Sequence, residues 1–273
     1  MQLHEGLQVI GANAFSGCKS LQSVKLPSSV TKLDGYAFYC SGLIELHLNE
    51  GLESIACRAF HNCTALQSVI FPSTVTALED RAFSKCSNLG ESQLNEGLTV
   101  IGPETFQYCT ALRSVTIPST VTKLGICSFA DCSNLSEVIL LGGKRLLNQE
   151  FVDCGFTIGG QGLLNQEAID EMFFYQFQTM EERYFVFHGC PLTTVKISIG
   201  WAVAERMSRL PRERRLSVEE RNHNLCCIEL QQNGNVLACF SVVETDDDSD
   251  EEFENWDFFE VRDTNYEAAR SLY

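Results

Sequence analysis

Thirteen cysteines and five histidines are the side chains of this 273-residue chain best suited to nucleophilic or metal chemistry. A zinc site needs paired ligands at close spacing, and the sequence has no pair of Cys-x-x-Cys motifs. His4, His47, His61, His188 and His223 share no register with a candidate nucleophile and acid. Gly142-Gly143 and Gly159-Gly160 lack the Gly-Lys-Ser/Thr that completes a phosphate loop, and neither Gly-x-Ser-x-Gly nor His-Glu-x-x-His occurs. The expectation is a protein with no catalytic residue, no cofactor and no metal. Six cysteines instead fall at one register: Cys18, Cys40, Cys63, Cys86, Cys109 and Cys132. Free cysteine packs as a small apolar side chain, and burial raises its pKa and blocks access. A buried, reduced and inert column is therefore expected. Cys226 and Cys227, adjacent and without a partner motif, are also read as packing.

The elements that must position this column follow from its spacing. Each cysteine follows one of Phe15, Phe38, Phe60, Phe83, Phe106 and Phe129, which lie 22 or 23 residues apart. A fixed period of this length signals a solenoid, in which each repeat buries its apolar residues only against its neighbours. One coil reads Leu-x-x-Val-x-Leu, a Pro-Ser or Asn-Glu-Gly turn, Val/Leu-x-x-Leu/Ile, then Phe-x-x-Cys. The first segment, as in Leu66-Gln-Ser-Val69-Ile-Phe71, alternates as a short strand with one face inward. Pro27, Pro72 and Pro118 end that strand in a turn. Gly51 and Gly97 hold the equivalent turn in alternate coils, where positive φ is expected. The alternation of turns gives a second period of about 45 residues, the mark of an ancestral pair of coils. The outward strand positions alternate too: Ser23, Glu45, Ser68, Glu91, Ser114 and Glu137. Together with Lys25, His47, Ile70, Gln93, Thr116 and Ile139 they form the candidate partner-binding face. Duplication alone also accounts for the pattern.

Ala59-Phe60-His-Asn-Cys63-Thr-Ala-Leu66-Gln-Ser-Val69-Ile-Phe71-Pro72-Ser-Thr-Val75-Thr76-Ala-Leu78 resembles the BspA-like leucine-rich repeat at nearly every position. The resemblance covers about residues 3 to 140, with Ser92 departing at the strand valine and Thr105 at the alanine before phenylalanine. It implies an α/β repeat solenoid, a leucine-rich-repeat right-handed superhelix with a parallel strand ladder. The family includes bacterial surface adhesins and many protist and microalgal proteins, so a surface adhesion or structural role is the alternative it suggests.

Four regions are expected: repeats over 1–140, a degenerate coil, helical insertion and terminal coil over 141–200, helices and a strand over 201–243, and an acidic tail over 244–273. Phe151-Val-Asp-Cys154 keeps the phase and reads as a decayed coil; Phe187-His-Gly-Cys190-Pro-Leu192-Thr-Thr-Val195-Lys-Ile197 reads as the terminal one. Between them Asn165 is a helix cap ahead of Ala168, Ile169, Met172, Phe173 and Phe177 at helical spacing, a helix that would cover the end of the core. Trp201 to Leu210 reads as another helix, ended by Pro211. Ser217-Val-Glu-Glu220 has capping-box spacing for a helix to about Leu230; the alternative is a hairpin across Asn233-Gly234, with Cys226 to Gln232 as its first strand and Val236 to Val243 as its second.

Charge narrows the partner class. The net charge is -16 at pH 7, and residues 244–263 hold eleven acids against one arginine. Such a segment cannot bury itself and is expected to be disordered; a regulatory role for it, with Trp256, Phe258 and Phe259 as a docking motif, is a further alternative. Arg206, Arg209, Arg212, Arg214 and Arg215 are diluted by acids, and nothing forms the basic stripe that nucleic-acid binding needs. No apolar run is long enough to span a membrane. No signal sequence is visible, so a cytoplasmic location is expected; the chain opens inside a repeat, so a truncated start and a cell-surface location are the alternative. Asn62-Cys-Thr64 and Asn134-Leu-Ser136 are glycosylation sequons expected to stay unmodified; Ser217 and Ser249 sit in kinase-like contexts. The function expected is a non-catalytic scaffold that binds a protein partner on its strand face.

Overall fold

The computed structural model describes residues 3–142, 169, 185–199, 225–230 and 236–242. Each coil supplies two strands. The first ladder holds two-residue strands β1 (Val9–Ile10), β3 (Lys32–Leu33), β5 (Ser54–Ile55), β7 (Ala77–Leu78), β9 (Val100–Ile101) and β11 (Lys123–Leu124), all parallel. The second holds β2 (Ser23–Lys25), β4 (Glu45–His47), β6 (Ser68–Ile70), β8 (Glu91–Gln93), β10 (Ser114–Ile117), β12 (Glu137–Leu140) and β13 (Thr194–Ile199). Sequence reading found only the second ladder. The first comes from Val-Thr-x-Leu in β3, β7 and β11 and from Leu-x-x-Ile in β1, β5 and β9, whose two-residue strands are too short to show a period of two. Among the described residues of the coils there is no helix, which corrects the α component of the expected α/β solenoid. The third side of each coil is a turn.

That turn is hydrogen-bonded as regularly as a strand. Two residues per coil, two before and two after the phenylalanine, lie at positive φ: Arg58 at 56° and Asn62 at 61°, Arg81 at 54° and Lys85 at 63°. For a residue with a side chain this conformation costs about 1 kcal/mol or more. The return is a row of N–H groups aimed at the next coil. Arg58, Phe60 and Asn62 donate to the carbonyls of Asp80, Ala82 and Ser84 at 2.8–2.9 Å, and Arg81, Phe83 and Lys85 donate to Pro103, Thr105 and Gln107.

Inside, Phe15, Phe38, Phe60, Phe83, Phe106, Phe129 and Phe187 form one continuous stack, with ring centroids 4.9 to 5.8 Å apart and planes within 17°. Phe71 meets Phe83 edge-on at 5.2 Å. Phe187 lies directly on Phe129, and β13 pairs in register with β12, Val195 opposite Val138. The place after Phe129, which the phase of Phe151 predicts for a decayed coil, is thus filled by the Phe187 coil. Phe187, 58 positions after Phe129 in sequence, continues the stack without a break. Of the expected insertion helix only Ile169 is described; it is helical and fully buried in the core. The remaining expected helices and the acidic tail lie outside the described residues, except that Leu225–Leu230 is β14, paired antiparallel with β15 (Val236–Ser241), itself antiparallel to β13. The hairpin alternative is the one found. The helix starting at Ser217 cannot run to Leu230, because this stretch extends the sheet.

The cysteines do more than pack. The carbonyl of Phe60 accepts the Cys63 N–H of its own coil and the Cys86 thiol of the next; Phe83 does the same with Cys86 and Cys109, and Phe106 with Cys109 and Cys132. The thiol distances are 3.2–3.4 Å. Cys190 gives its thiol to Phe129 at 3.0 Å. A carbonyl has two lone pairs and a thiol is a small donor, so the register selects a side chain that is both apolar in bulk and able to donate. In the Phe38 coil the position belongs to Ser41, buried and 3.2 Å from the Cys63 sulfur. The turn there is one residue shorter before Leu43, so Cys40 moves to the positive-φ site at 53°, half-buried. Cys18 is exposed. The expected buried column is therefore seen at Cys63, Cys86, Cys109 and Cys132 but not at Cys18 and Cys40. Burial pushes the Cys109 thiol up to about 12 and Cys127 up to about 11.

The alternating turns form clamps between coils. Glu5 accepts from the Ser28 N–H at 3.1 Å and its hydroxyl at 3.0 Å, Glu50 from Ser73, and Glu96 from the Ser119 N–H at 3.0 Å and hydroxyl at 2.9 Å. Each Asn-Glu-Gly or His-Glu-Gly turn thereby holds the Pro-Ser turn of the coil after it. Asn49 reaches the other way, to the Pro27 carbonyl at 2.7 Å. The two-coil period is a structural pairing of complementary turns. Gly97 has the expected positive φ, 116°, but Gly51 does not; there a Cβ would lie 2.8 Å from the Ser28 carbonyl oxygen, so crowding selects glycine.

Two outcomes test this packing. Ser92 stands in the inward column of Val24, Leu46, Val69, Val115, Val138 and Val195, and its buried hydroxyl has no hydrogen-bond partner. An unpaired buried hydroxyl costs about 1–3 kcal/mol, so Ser92→Val raises the thermal midpoint; a lowered midpoint contradicts the column. Native-state labelling with a bulky thiol reagent modifies Cys18 and Cys40 first and leaves Cys63, Cys86, Cys109 and Cys132 unreacted until denaturation. Equal rates across the six contradict the buried assignment.

Candidate functional site

Because side chains alternate along a strand, whatever the second ladder does not bury it presents outward in columns. Val24, Leu46, Val69, Val115 and Val138 fill the core, and the residues on either side of each face out. One column runs Ser23, Glu45, Ser68, Glu91, Ser114, Glu137 and Thr194, with Ser23 opposite Glu45, Glu45 opposite Ser68, Ser68 opposite Glu91 and Ser114 opposite Glu137. The other runs Lys25, His47, Ile70, Gln93, Thr116, Ile139 and Lys196. All twelve candidate residues from the sequence thus share one face.

They are not equivalent. Glu45, His47, Ser68, Ile70, Glu91, Gln93, Ser114 and Thr116 are exposed, whereas Ser23, Glu137 and Ile139 are half-buried. Lys196 of β13 places its Nζ 2.9 Å from Glu137 Oε1, so the third carboxylate of the stripe is already compensated. Only the position of the Phe187 coil directly beside β12 reveals that pair, and the sequence spacing hid it. Glu45 has only a loose contact with His47 Nε2, at 3.9 Å. Ile70, 61% exposed, is the most open large apolar side chain of the described residues.

The ladder itself is uneven. β2 and β4 pair through three residues, as do β6 and β8, but β4 and β6 pair only at Glu45 and Ser68. β8 ends one sheet and β10 begins the next. Leu26 donates its N–H across to the His47 carbonyl and Phe71 to Gln93, both at 3.0 Å. Among the described residues the corresponding N–H groups of Leu48 and Leu94 have no backbone acceptor. Where β4 and β6 part, a groove of about 460 Å³ opens, lined by Glu45, His47, Leu48, Glu50, Ile70 and Pro72 among others.

The turn side carries a different surface. Arg58 lies 5.5 Å from the Tyr36 ring and bonds its hydroxyl, Arg81 makes a two-point ion pair with Glu104, and Tyr39 stacks on His61 at 5.4 Å. These pairs link adjacent coils, and Arg81 with Glu104 matches charge with charge. Burial, with Lys85 and Arg58 nearby, holds His61 below the usual imidazole range. Among the described residues no group of three or more His, Cys, Asp and Glu could hold a metal ion, and no helix is long and apolar enough to cross a membrane.

The repeated chemistry seen here is that of a described family. A model of the BspA type leucine rich repeat region matches in six copies over residues 1–77 and 32–157. No curated protein matches the chain. Among solved structures, a T. pallidum leucine rich repeat protein shares 31% identity over 43% of this chain and 58% of its own, with a TM-score of 0.43. A leucine-rich repeat protein from Bacteroides ovatus shares 23% over 51% and 42%, with a TM-score of 0.41. A leucine rich cell surface protein from Faecalibacterium prausnitzii shares 21% over 56% and 56%, with a TM-score of 0.36. The chain thus spans between two fifths and three fifths of the length of each. With the phenylalanine stack, the donor cysteines and the six matched repeats in place, this chain belongs to the BspA type leucine rich repeat family.

Proposed function

We propose that the protein is a non-catalytic scaffold that binds another protein on the outward face of its second strand ladder. The observation that carries this reading is the freedom of that face. Its side chains contribute nothing to the core, and over β4 to β10 they remain exposed and close to unpaired, while the turn side spends its charges on contacts between coils. A solenoid built this way has its outer strand positions available for recognition. Exposed Ile70 supplies an apolar anchor amid polar neighbours, the pattern of a central contact with a polar rim.

Lys196 changes how the face is best tested. Reversing Glu137 would set a lysine against Lys196 and disturb the β12–β13 pair, so the informative variant is Glu45→Lys with Glu91→Lys. Each change is on the surface and shifts stability by less than about 0.5 kcal/mol. Affinity capture with the folded double variant loses the partners that the unaltered protein holds. An unchanged set of partners, with the fold intact, moves the site off this face.

A further inference from the structure

We infer that the openings in the strand ladder, between β4 and β6 and between β8 and β10, are paired slots for the basic side chains of an extended peptide, so that the partner carries two arginines or lysines about 10 Å apart. This inference rests on the strand-face reading and names the chemistry that the face would recognise.

Both openings follow the strand of an Asn-Glu-Gly coil. At each one a pairing that neighbouring coils make is missing: a single residue pair joins β4 to β6, and none joins β8 to β10. Each leaves a backbone donor without a backbone acceptor, the N–H of half-buried Leu48 at one and of buried Leu94 at the other. Each also has an exposed carboxylate beside it, Glu45 and Glu91, while Glu50 and Glu96 are held by the Pro-Ser turns of the next coils. The first opening is a groove of about 460 Å³ with Ile70 on its rim. At the first opening an acidic mouth, the apolar Leu48, Ile70 and Pro72 and an unused N–H suit the stem and charged head of a basic side chain on a backbone that offers carbonyls; the second shares the carboxylate and the unused N–H.

Spacing selects the conformation. The two openings lie two coils apart, about 9.6 Å at the usual strand separation. A polyproline II chain rises about 3.1 Å per residue with three residues per turn, so every third side chain points the same way about 9.3 Å further on. Its backbone makes no internal hydrogen bonds, which leaves carbonyls to meet Leu48 and Leu94. An α-helix satisfies its own carbonyls and lacks that match.

The probe is a fluorescent peptide of repeated Pro-Pro-Arg, compared with an isomer of the same residues whose arginines are contiguous. Fluorescence anisotropy on the full chain is expected to show the repeated peptide binding at least about tenfold more tightly than its isomer, and weakening at least about tenfold in Glu45→Gln/Glu91→Gln, a variant that leaves the core untouched. The tenfold factor corresponds to about 1.4 kcal/mol. Equal binding of the two peptides, both lost in Glu45→Lys/Glu91→Lys, overturns the slots and leaves the strand-face reading standing. Binding unchanged in every Glu45/Glu91 variant, the behaviour of the acidic segment 246–252 as a general cation binder, overturns both.

Discussion

The carbonyl of each stacked phenylalanine is the point on which the solenoid turns. At Phe60, Phe83 and Phe106 it accepts an N–H from the cysteine three residues on and a thiol from the cysteine one coil further, while the phenylalanine's own N–H donates to that next coil. Three directions are therefore fixed at one residue, and each coil has to bring its chain back to the same place. The rest follows as a consequence. Positive-φ residues such as Asn62 and Lys85 are tolerated because their N–H groups then reach the next coil. Buried polar groups are normally paired, and in this column the pairing is made by thiols.

Such a constraint governs where a coil ends and says little about how the chain travels between coils. That is why Phe187 can stack on Phe129 at 5.4 Å although 58 residues separate them. The stack needs a phenylalanine, a donor three residues later and a Leu-x-x-Val-x-Leu strand, and the Phe187 coil has all three. Phe151 and Cys154 keep the phase, but no strand pattern of that kind follows them. The hairpin β14–β15 then extends the ladder from β13 in antiparallel fashion, so the sheet continues beyond the last coil of the solenoid.

The legible part of the fold was the part with a period. Phenylalanine and cysteine spacing revealed the coils, and the alternation in Leu-x-x-Val-x-Leu placed the outward residues Glu45, Ile70 and Glu91 on one face. Two-residue strands such as Lys32–Leu33 carry no alternation, so their ladder was invisible. Cys40 was assigned to the column by residue type, whereas a one-residue shortening of its turn gives the place to Ser41. The salt bridge of Glu137 to Lys196 joins residues 59 positions apart in sequence, and the openings beside Glu45 and Glu91 are defects in backbone pairing, which residue types do not encode. The alternating turns are a middle case: the pattern was plain, and its cause, carboxylates capping the serines of the next coil, needed coordinates.

If shared carbonyls and stacked rings make the solenoid one cooperative unit, damage at one coil must spread to its neighbours. Hydrogen exchange of Phe83→Ala, followed alongside thermal unfolding, tests this most directly. Removing a buried phenylalanine costs about 3–5 kcal/mol, and the account predicts that protection falls together at the N–H groups of Phe60, Phe83 and Phe106 and that the midpoint drops by several degrees. A shift below about 2 °C, with protection lost at Phe83 alone, would contradict it.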